Sequence, residues 1–164
     1  MKRFFILLWV VGILVSAISA CENVEREPNG DDVAVEYKNE WTYIHKRVGP
    51  LKSTIWCAFI DTREVNLWHI YLSPVRNVLF EEVVQFEPVR STVPVDFPLD
   101  DTAVRLSEDS QIAVEYLDEV WTKSNAPRGV VRAEYDARIN NFRIYFNIPN
   151  RLSGSYEGAI VIVE

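Results

Sequence analysis

The chain has 164 residues, with 17 basic and 24 acidic side chains, a net charge of −7 and 48% hydrophobic residues. This length suits one domain of ordinary size with a core of its own. An acidic surface repels phosphate backbones, so we expect no nucleic-acid partner.

The first twenty residues have the layout of a secretory signal peptide. Lys2 and Arg3 give a positive start, an apolar run extends over residues 4–15, and small residues precede Cys21. The uncharged stretch of 17 residues that follows Arg3 is shorter than the roughly 20 residues that span a bilayer as a helix. We therefore predict that residues 1–20 are removed, which changes the net charge to −9.

The residues at the end of this segment are Ile18, Ser19, Ala20 and Cys21. They resemble the lipobox of bacterial lipoproteins, in which a branched apolar residue and two small residues precede an invariant cysteine. The resemblance implies cleavage before Cys21, a diacylglycerol thioether on its sulfur and acylation of its new amino group. Each buried CH₂ of an acyl chain contributes about 0.8 kcal/mol, so several chains hold a protein firmly on a membrane. The alternative is an ordinary secreted protein whose cysteine lies here by chance.

Residues 21–32 comprise the cysteine and an acidic tether. The eleven residues after Cys21 include five acids, one proline and one glycine, with a single apolar residue. Such a composition cannot bury enough surface to order itself, and eleven extended residues reach at most about 36 Å. In the lipoprotein family an Asp after the cysteine signals retention at the inner membrane. Glu22 stands here instead, so the resemblance implies an outer-membrane lipoprotein that faces the periplasm or the cell surface.

The remaining residues, 33–164, are predicted to form a single all-β domain. Short runs rich in Val, Ile, Tyr, Phe and Trp alternate with turn-forming clusters. About eight strands in this length indicate an antiparallel β-sandwich, with a small calycin-like β-barrel as the alternative.

The first clear hairpin joins "STIWCAFI" (53–60) to "VNLWHIYL" (65–72). Both runs are apolar on both faces, which predicts a central position in a sheet and a buried location for Trp56 and Trp68. Cys57, left without a disulfide partner if Cys21 carries lipid, is expected to be a small buried hydrophobe.

The middle of the chain is predicted to be irregular. Four prolines between residues 74 and 98 favour edge strands and turns, with one helical turn around residues 80–84. The run "IAVEYLDEVW" (112–121) is predicted to be one strand.

A second hairpin joins "GVVRAEYD" (129–136) to "NFRIYFNI" (141–148), whose strict alternation predicts a half-buried strand. "SYEGAIVIVE" (155–164) is predicted to be the last strand. These runs resemble immunoglobulin-like modules of bacterial surface proteins and uncharacterised small lipoproteins of Gram-negative outer membranes. The resemblance covers at most the last 35 residues and implies a sandwich fold, with no known activity.

The chain lacks the common catalytic signatures, so we expect no enzymatic activity and no cofactor. The histidines His45 and His69 follow no zinc-ligand spacing with Cys57, and His69 is expected to be a half-buried, hydrogen-bonded imidazole. The loop "DFPLDD" lacks the ligand spacing of a calcium site. We therefore predict no metal site.

Aromatic side chains are the candidate binding residues. Trp41 and Trp121 are flanked by charged residues in "KNEWTY" and "DEVWTK". They are predicted to be partly exposed and to contact a ligand or partner.

The sequence thus predicts a lipid-anchored protein of the cell envelope with a non-catalytic binding or scaffolding role. A glycan or another envelope protein is the expected partner, besides the membrane itself, and the oligomeric state is open. One alternative is a barrel that carries a small apolar ligand in an interior cavity. A further alternative is a hydrolase of unfamiliar type, which needs carboxylates that converge in one cleft.

Overall fold

The structure, a computed structural model, describes residues 35–164. The predicted signal peptide, lipobox and tether, including Ile18, Ser19, Ala20 and Cys21, lie outside the described residues. Twelve strands occur in chain order, with one short helix between the fourth and fifth. They are β1 (Glu40–His45), β2 (Gly49–Thr54), β3 (Cys57–Asp61), β4 (Leu67–Ser73), α1 (Phe80–Val83), β5 (Val89–Pro94), β6 (Asp100–Arg105), β7 (Ala113–Tyr116), β8 (Glu119–Trp121), β9 (Val130–Asp136), β10 (Asn141–Ile148), β11 (Leu152–Gly158) and β12 (Ile160–Val163).

The strands form two six-stranded sheets. Sheet 1 has the order β2-β1-β11-β10-β9-β6, and sheet 2 has the order β12-β3-β4-β5-β7-β8. Every pairing is antiparallel except that of β12 with β3. Each sheet has two open edges, so neither closes into a barrel. The predicted all-β sandwich is confirmed, with twelve strands rather than about eight, and two of the predicted strands are each divided into two.

Both predicted hairpins are present. In the hairpin of β9 and β10, Phe142, Ile144, Phe146 and Ile148 are buried while the residues between them are half-exposed. That alternation confirms that β10 has one face on the core and one face on solvent. The hairpin of β3 and β4 lies inside sheet 2, covered by β12 on one side and β5 on the other.

Two predicted strands are in fact pairs of strands. The run 112–121 turns at Leu117, whose φ is +54°, and forms the hairpin of β7 and β8. The run 155–164 is divided at Ala159, whose carbonyl accepts a hydrogen bond of 2.7 Å from the Tyr156 hydroxyl. The chain crosses there from β11 in sheet 1 to β12 in sheet 2, which ties the two sheets together covalently.

The space between the sheets is filled by one continuous buried cluster with residues from both sheets. Its largest fully buried side chains include Trp41, Phe142, Phe146, Ile55, Ile70 and Leu72. The outer face of sheet 2 carries a second, smaller cluster, in which Phe59, Tyr71 and Val83 pack together. Val83 belongs to α1, which confirms the helical turn predicted around residues 80–84.

The two hairpin turns share a side-chain motif. Asp61 ends β3, and its carboxylate accepts hydrogen bonds from Arg63 through the backbone N–H at 3.1 Å, Nε at 2.8 Å and Nη2 at 2.8 Å. Asp136 ends β9 and accepts the same three bonds from Arg138 at 3.0, 3.0 and 2.8 Å. The sequence pattern Asp-x-Arg therefore fixes the start of both turns by linking strand end and loop.

We expect Asp61→Asn to lower the free energy of unfolding near neutral pH by about 1–3 kcal/mol, since a buried charged hydrogen-bond acceptor is lost. Hydrogen bonds from Arg63 lower the pKa of Asp61 below its ordinary value. A carboxyl whose pKa is lower in the folded state stabilises the fold above its unfolded-state pKa of about 3.9, and this contribution is lost as the pH falls through the folded-state value. Urea unfolding at several pH values should show the wild-type advantage shrinking in acid.

Asp136→Asn is the matched control for this variant. Its hydrogen bonds are the same, but its side chain is 27% exposed against 12% for Asp61. The effect should be smaller because water screens and replaces the lost bonds. Equal losses in the two variants would contradict the role assigned to burial.

Candidate ligand groove on the outer face of sheet 1

The outer face of sheet 1 is mostly polar. Arg143, Tyr145 and Asn147 point outward from β10 because they alternate with its buried residues. Cross-strand register then aligns outward residues on neighbouring strands in rows. One row contains Thr42, Ser153, Asn147, Val130 and Arg105, and the next contains Glu40, Ser155, Tyr145, Arg132 and Ala103.

These rows line a groove of about 840 Å³ on the surface. Its charged lining consists of four basic and two acidic side chains, although the chain as a whole is acidic. The residues that line the groove are Val35, Glu36, Lys38, Glu40, Thr42, Ala103, Arg105, Arg128, Val130, Arg132, Tyr145, Asn147, Ser153, Gly154 and Ser155.

The groove includes several side chains with unused hydrogen-bonding capacity. Within residues 35–164, the Thr42 and Ser153 hydroxyls have no protein hydrogen-bond partner. A side-chain hydrogen bond joins Tyr145 to Asn147 on the outward face of β10. The four side chains offer hydroxyl, phenol and amide groups, each able to donate and accept. A ligand with hydroxyl groups could therefore bind Thr42 and Ser153 without displacing a bond that the protein already makes.

The segment 35–39 lies against β11 and contributes to the groove lining. The Lys38 backbone N–H donates to the Ser155 hydroxyl at 2.9 Å, and that hydroxyl donates to the Glu36 carbonyl at 3.4 Å. The Asn39 side-chain amide donates to the Glu157 carbonyl at 3.0 Å. These bonds fix the entry of the described chain onto the outer face of sheet 1.

Two arginines of this face, Arg132 in the groove lining and Arg143, are paired with carboxylates. Arg143 contacts Glu134 at 3.0 Å and Glu157 at 2.9 Å, and Arg132 forms a two-pronged pair with Asp101 at 2.5 and 2.6 Å. Such pairs hold the guanidinium groups in fixed positions and satisfy their charge.

Two other arginines of the groove lining have no such partner. No carboxylate of residues 35–164 lies within 4.0 Å of Arg105 or Arg128. Arg105 is half-buried at the end of β6, opposite Val130. Arg128 lies two residues before Val130, and a bond of 2.8 Å from the Leu106 N–H to the Gly129 carbonyl closes this corner.

The two tyrosines of this face keep their protons at neutral pH. Burial raises the pKa of Tyr145, and burial together with the Asp101 carboxylate raises the pKa of Tyr37. The Tyr145 phenol, which lines the groove, therefore remains a hydrogen-bond donor over the physiological pH range.

The predicted exposure of Trp41 and Trp121 is wrong. Their side chains are only 2% and 5% exposed, and they pack in the core with Tyr43 and Tyr116. Trp56, in contrast, was expected in the core and is 44% exposed. The guanidinium carbon of Arg76 lies over its ring, 3.5 Å from the ring centroid. Because Trp56 precedes β3 rather than lying within it, its side chain is not forced into the sheet interior.

The groove residues were not singled out by the sequence pattern. The alternation of Arg143, Tyr145 and Asn147 indicated an outward polar face. The register that brings these residues beside β1, β6 and β9 depends on pairings distant in sequence, for which no local signal exists.

The remaining candidates for chemistry are dispersed. Within the described range, no three His, Cys, Asp or Glu side chains come together as a metal site. His69 lies between the Thr92 hydroxyl at 3.1 Å and the Glu64 carboxylate at 2.9 Å, which confirms the predicted hydrogen-bonded imidazole. Cys57 is half-buried rather than fully buried, and burial raises the pKa of its thiol. That shift keeps the less reactive thiol form.

Comparison of the chain with protein-family models, with curated proteins and with solved structures found no match. Over residues 35–164, no helix has the length and apolarity to cross a bilayer. The class of protein is therefore defined by its fold and its groove. It is a twelve-stranded β-sandwich with a polar groove on the outer face of one sheet.

Proposed function

We propose that this protein is a lipid-anchored component of the bacterial cell envelope, held at the outer membrane, that binds a ligand without catalysis. The observation that carries the proposal is the groove on sheet 1. It combines an open polar groove of about 840 Å³ with the phenol and amide of Tyr145 and Asn147 and with the Thr42 and Ser153 hydroxyls, which lack partners among the described residues. The filled core supports this choice over an apolar carrier, which needs space between the sheets.

A glycan is the ligand that the groove favours. Sugar hydroxyls both donate and accept hydrogen bonds, as do Thr42, Ser153 and Asn147. The lining has few apolar side chains, and a protein partner would need buried apolar or aromatic anchors for affinity.

We expect Ser153→Tyr to abolish ligand binding while the fold remains intact. Ser153 is central in the groove lining and points away from the core, so a phenol ring there fills the space that the ligand would occupy. Tyrosine is favoured in strands, which limits the cost to the fold. Binding to an array of bacterial envelope glycans, with circular dichroism as a check on folding, measures the effect.

The matched control is Val161→Tyr, which places the same ring on the outer face of sheet 2. Val161 is 52% exposed on β12, away from the groove. Glycan binding should persist in this variant. If the wild-type protein binds no glycan, or if both variants bind as it does, the proposal that the groove is the ligand site is refuted.

The anchor has a separate test. Cys21→Ser should release the protein from the membrane fraction and remove all fatty-acid labelling, since serine offers no thiol for the thioether. Fractionation of cells grown with a labelled fatty acid measures both effects. Labelling that persists in Cys21→Ser would refute the lipid site, whereas Cys57→Ser should leave labelling and location unchanged.

A further inference from the structure

The basic side chains of the groove differ in whether a nearby carboxylate neutralises them. Arg132 is neutralised by Asp101, and Lys38 contacts Glu36 at 3.1 Å. Arg105 and Arg128 line the same groove without a carboxylate within 4.0 Å in the described part of the chain. Of the ten arginines in residues 35–164, five have no carboxylate of the described residues within 4.0 Å, and Arg105 and Arg128 are the two of these five that line the groove.

The backbone holds these two arginines close together. Arg105 is the antiparallel partner of Val130, and Arg128 precedes Val130 by only two residues. Gly129 lies between Arg128 and Val130 in the chain, and a Cβ atom at that position would lie 2.7 Å from Cδ1 of Leu106. A side chain at Gly129 would therefore require the Leu106 and Ile148 side chains to shift. The pairing of β6 with the start of β9 brings both arginines to one end of the groove.

We infer that Arg105 and Arg128 bind the anionic groups of an acidic polysaccharide that lies along the groove. This inference rests on the proposed glycan-binding function and names its ligand class. A guanidinium presents several N–H donors in a planar fork that matches the oxygens of a carboxylate or phosphate. The hydroxyl and amide side chains of Thr42, Ser153 and Asn147 in the same groove suit the neutral hydroxyls of the same polymer.

An acidic polysaccharide fits the groove better than an acidic peptide or a nucleic acid does. A peptide gains affinity from side chains seated in apolar pockets, and the groove lining has only small apolar residues such as Ala103 and Val130. A nucleic acid carries phosphates along its whole length but few hydroxyl groups, and the net charge of −7 of the chain opposes its binding. An acidic polysaccharide can place anionic groups at the two arginines and neutral hydroxyls against Thr42, Ser153 and Asn147.

The test compares three defined polymers with the full-length protein. Polygalacturonate carries carboxylates, poly(glycerol phosphate) carries phosphates, and dextran is neutral. We expect binding to an acidic polymer and about 100-fold weaker binding to dextran. Arg105→Ala and Arg128→Ala should each weaken binding about tenfold, because each removes a charged hydrogen-bonding group. The carboxylate and phosphate arms then show which anion the site prefers.

The control is Arg47→Ala, which removes the same charge from an exposed turn outside the groove. It should leave affinity within about twofold, since an exposed distant charge is screened by salt. Arg105→Lys should fall between wild type and Arg105→Ala, because the charge remains and the planar fork is lost.

The outcomes separate this inference from the proposed function. Binding of dextran as tightly as the acidic polymers, or acidic binding unchanged in the Arg105→Ala/Arg128→Ala double variant, would overturn the inference. If Ser153→Tyr still blocks binding of the polymer in either case, the groove remains the ligand site, and only the inference that the ligand is anionic is refuted. Preferential binding to an acidic peptide or to DNA would also overturn the inference.

Discussion

We expect Trp41→Ala to lower the free energy of unfolding by about 3–5 kcal/mol, which places the domain near or below its stability limit. Trp41 is 2% exposed and is the largest fully buried side chain. Its ring packs edge-on against Tyr116 of sheet 2, with a centroid distance of 5.7 Å. Removing it opens a cavity between the sheets at the point where β1 and β7 meet. Urea unfolding followed by circular dichroism measures the loss.

Trp56→Ala is the control for this prediction. Its side chain is 44% exposed and lies outside the core cluster, with the Arg76 guanidinium over its ring, so the expected loss is about 1 kcal/mol or less. Similar losses in the two variants would contradict the placement of Trp41 in the core. Any loss of ligand binding in Trp41→Ala is therefore to be attributed to unfolding, and the variant cannot test recognition.

The second large effect is expected for Gly154→Ala. Gly154 lies on β11 between Trp41 of β1 and Phe146 of β10. A Cβ atom at this position would lie 2.5 Å from Phe146 Cζ, 2.8 Å from the Glu40 carbonyl oxygen and 2.9 Å from Trp41 Cβ. Two of these neighbours are backbone or Cβ atoms that cannot move without shifting a strand. We expect a loss of about 3 kcal/mol, at the upper end of the overpacking range.

Ser153→Ala is the matched control, because Ser153 precedes Gly154 on the same strand and points to the opposite face. Its stability should stay within about 0.5 kcal/mol of wild type. Thermal unfolding of the two variants checks the prediction. A Gly154→Ala protein as stable as Ser153→Ala would show that β1 and β10 can separate freely around β11.

The local sequence pattern was sufficient to predict the two hairpins, but it did not predict where the chain crosses from one sheet to the other. The alternation from Phe142 to Ile148 specifies a strand and its buried face, since period two has one structural reading. The run 155–164 contains no proline, and its apolar end continues directly from a strand, so nothing local shows the crossing at Ala159. That crossing follows from tertiary pairing of β12 with β3.

The tryptophan positions show why charged neighbours mislead. Glu40 precedes Trp41 on β1, and successive side chains on a strand point to opposite faces. Flanking polar residues are therefore typical of a buried residue on a half-exposed strand, and they argued for burial of Trp41 rather than against it. Trp56 lies before the first residue of β3, where this alternation does not apply.

The ligand groove is lined by five strands, and its lining comes from residues separated by more than one hundred positions. Thr42 and Ser153 are neighbours through the pairing of β1 with β11. No local pattern predicts that these two residues are neighbours, and only the strand order places them in one groove with Arg105. Whether a carboxylate of residues 35–164 lies near Arg105 or Arg128 also depends on the tertiary fold.

The attachment of segment 35–39 beside the groove limits the distance from the membrane at which the protein can bind its ligand. Val35 lines the groove, and fourteen peptide units separate it from Cys21. A fully extended chain of that length reaches about 50 Å. With lipid on Cys21, as proposed, this edge of the groove is confined to a shell of that depth above the membrane. The polymer that it binds must then lie within about 50 Å of the same membrane surface. Longer spacers inserted after residue 21 would increase this distance.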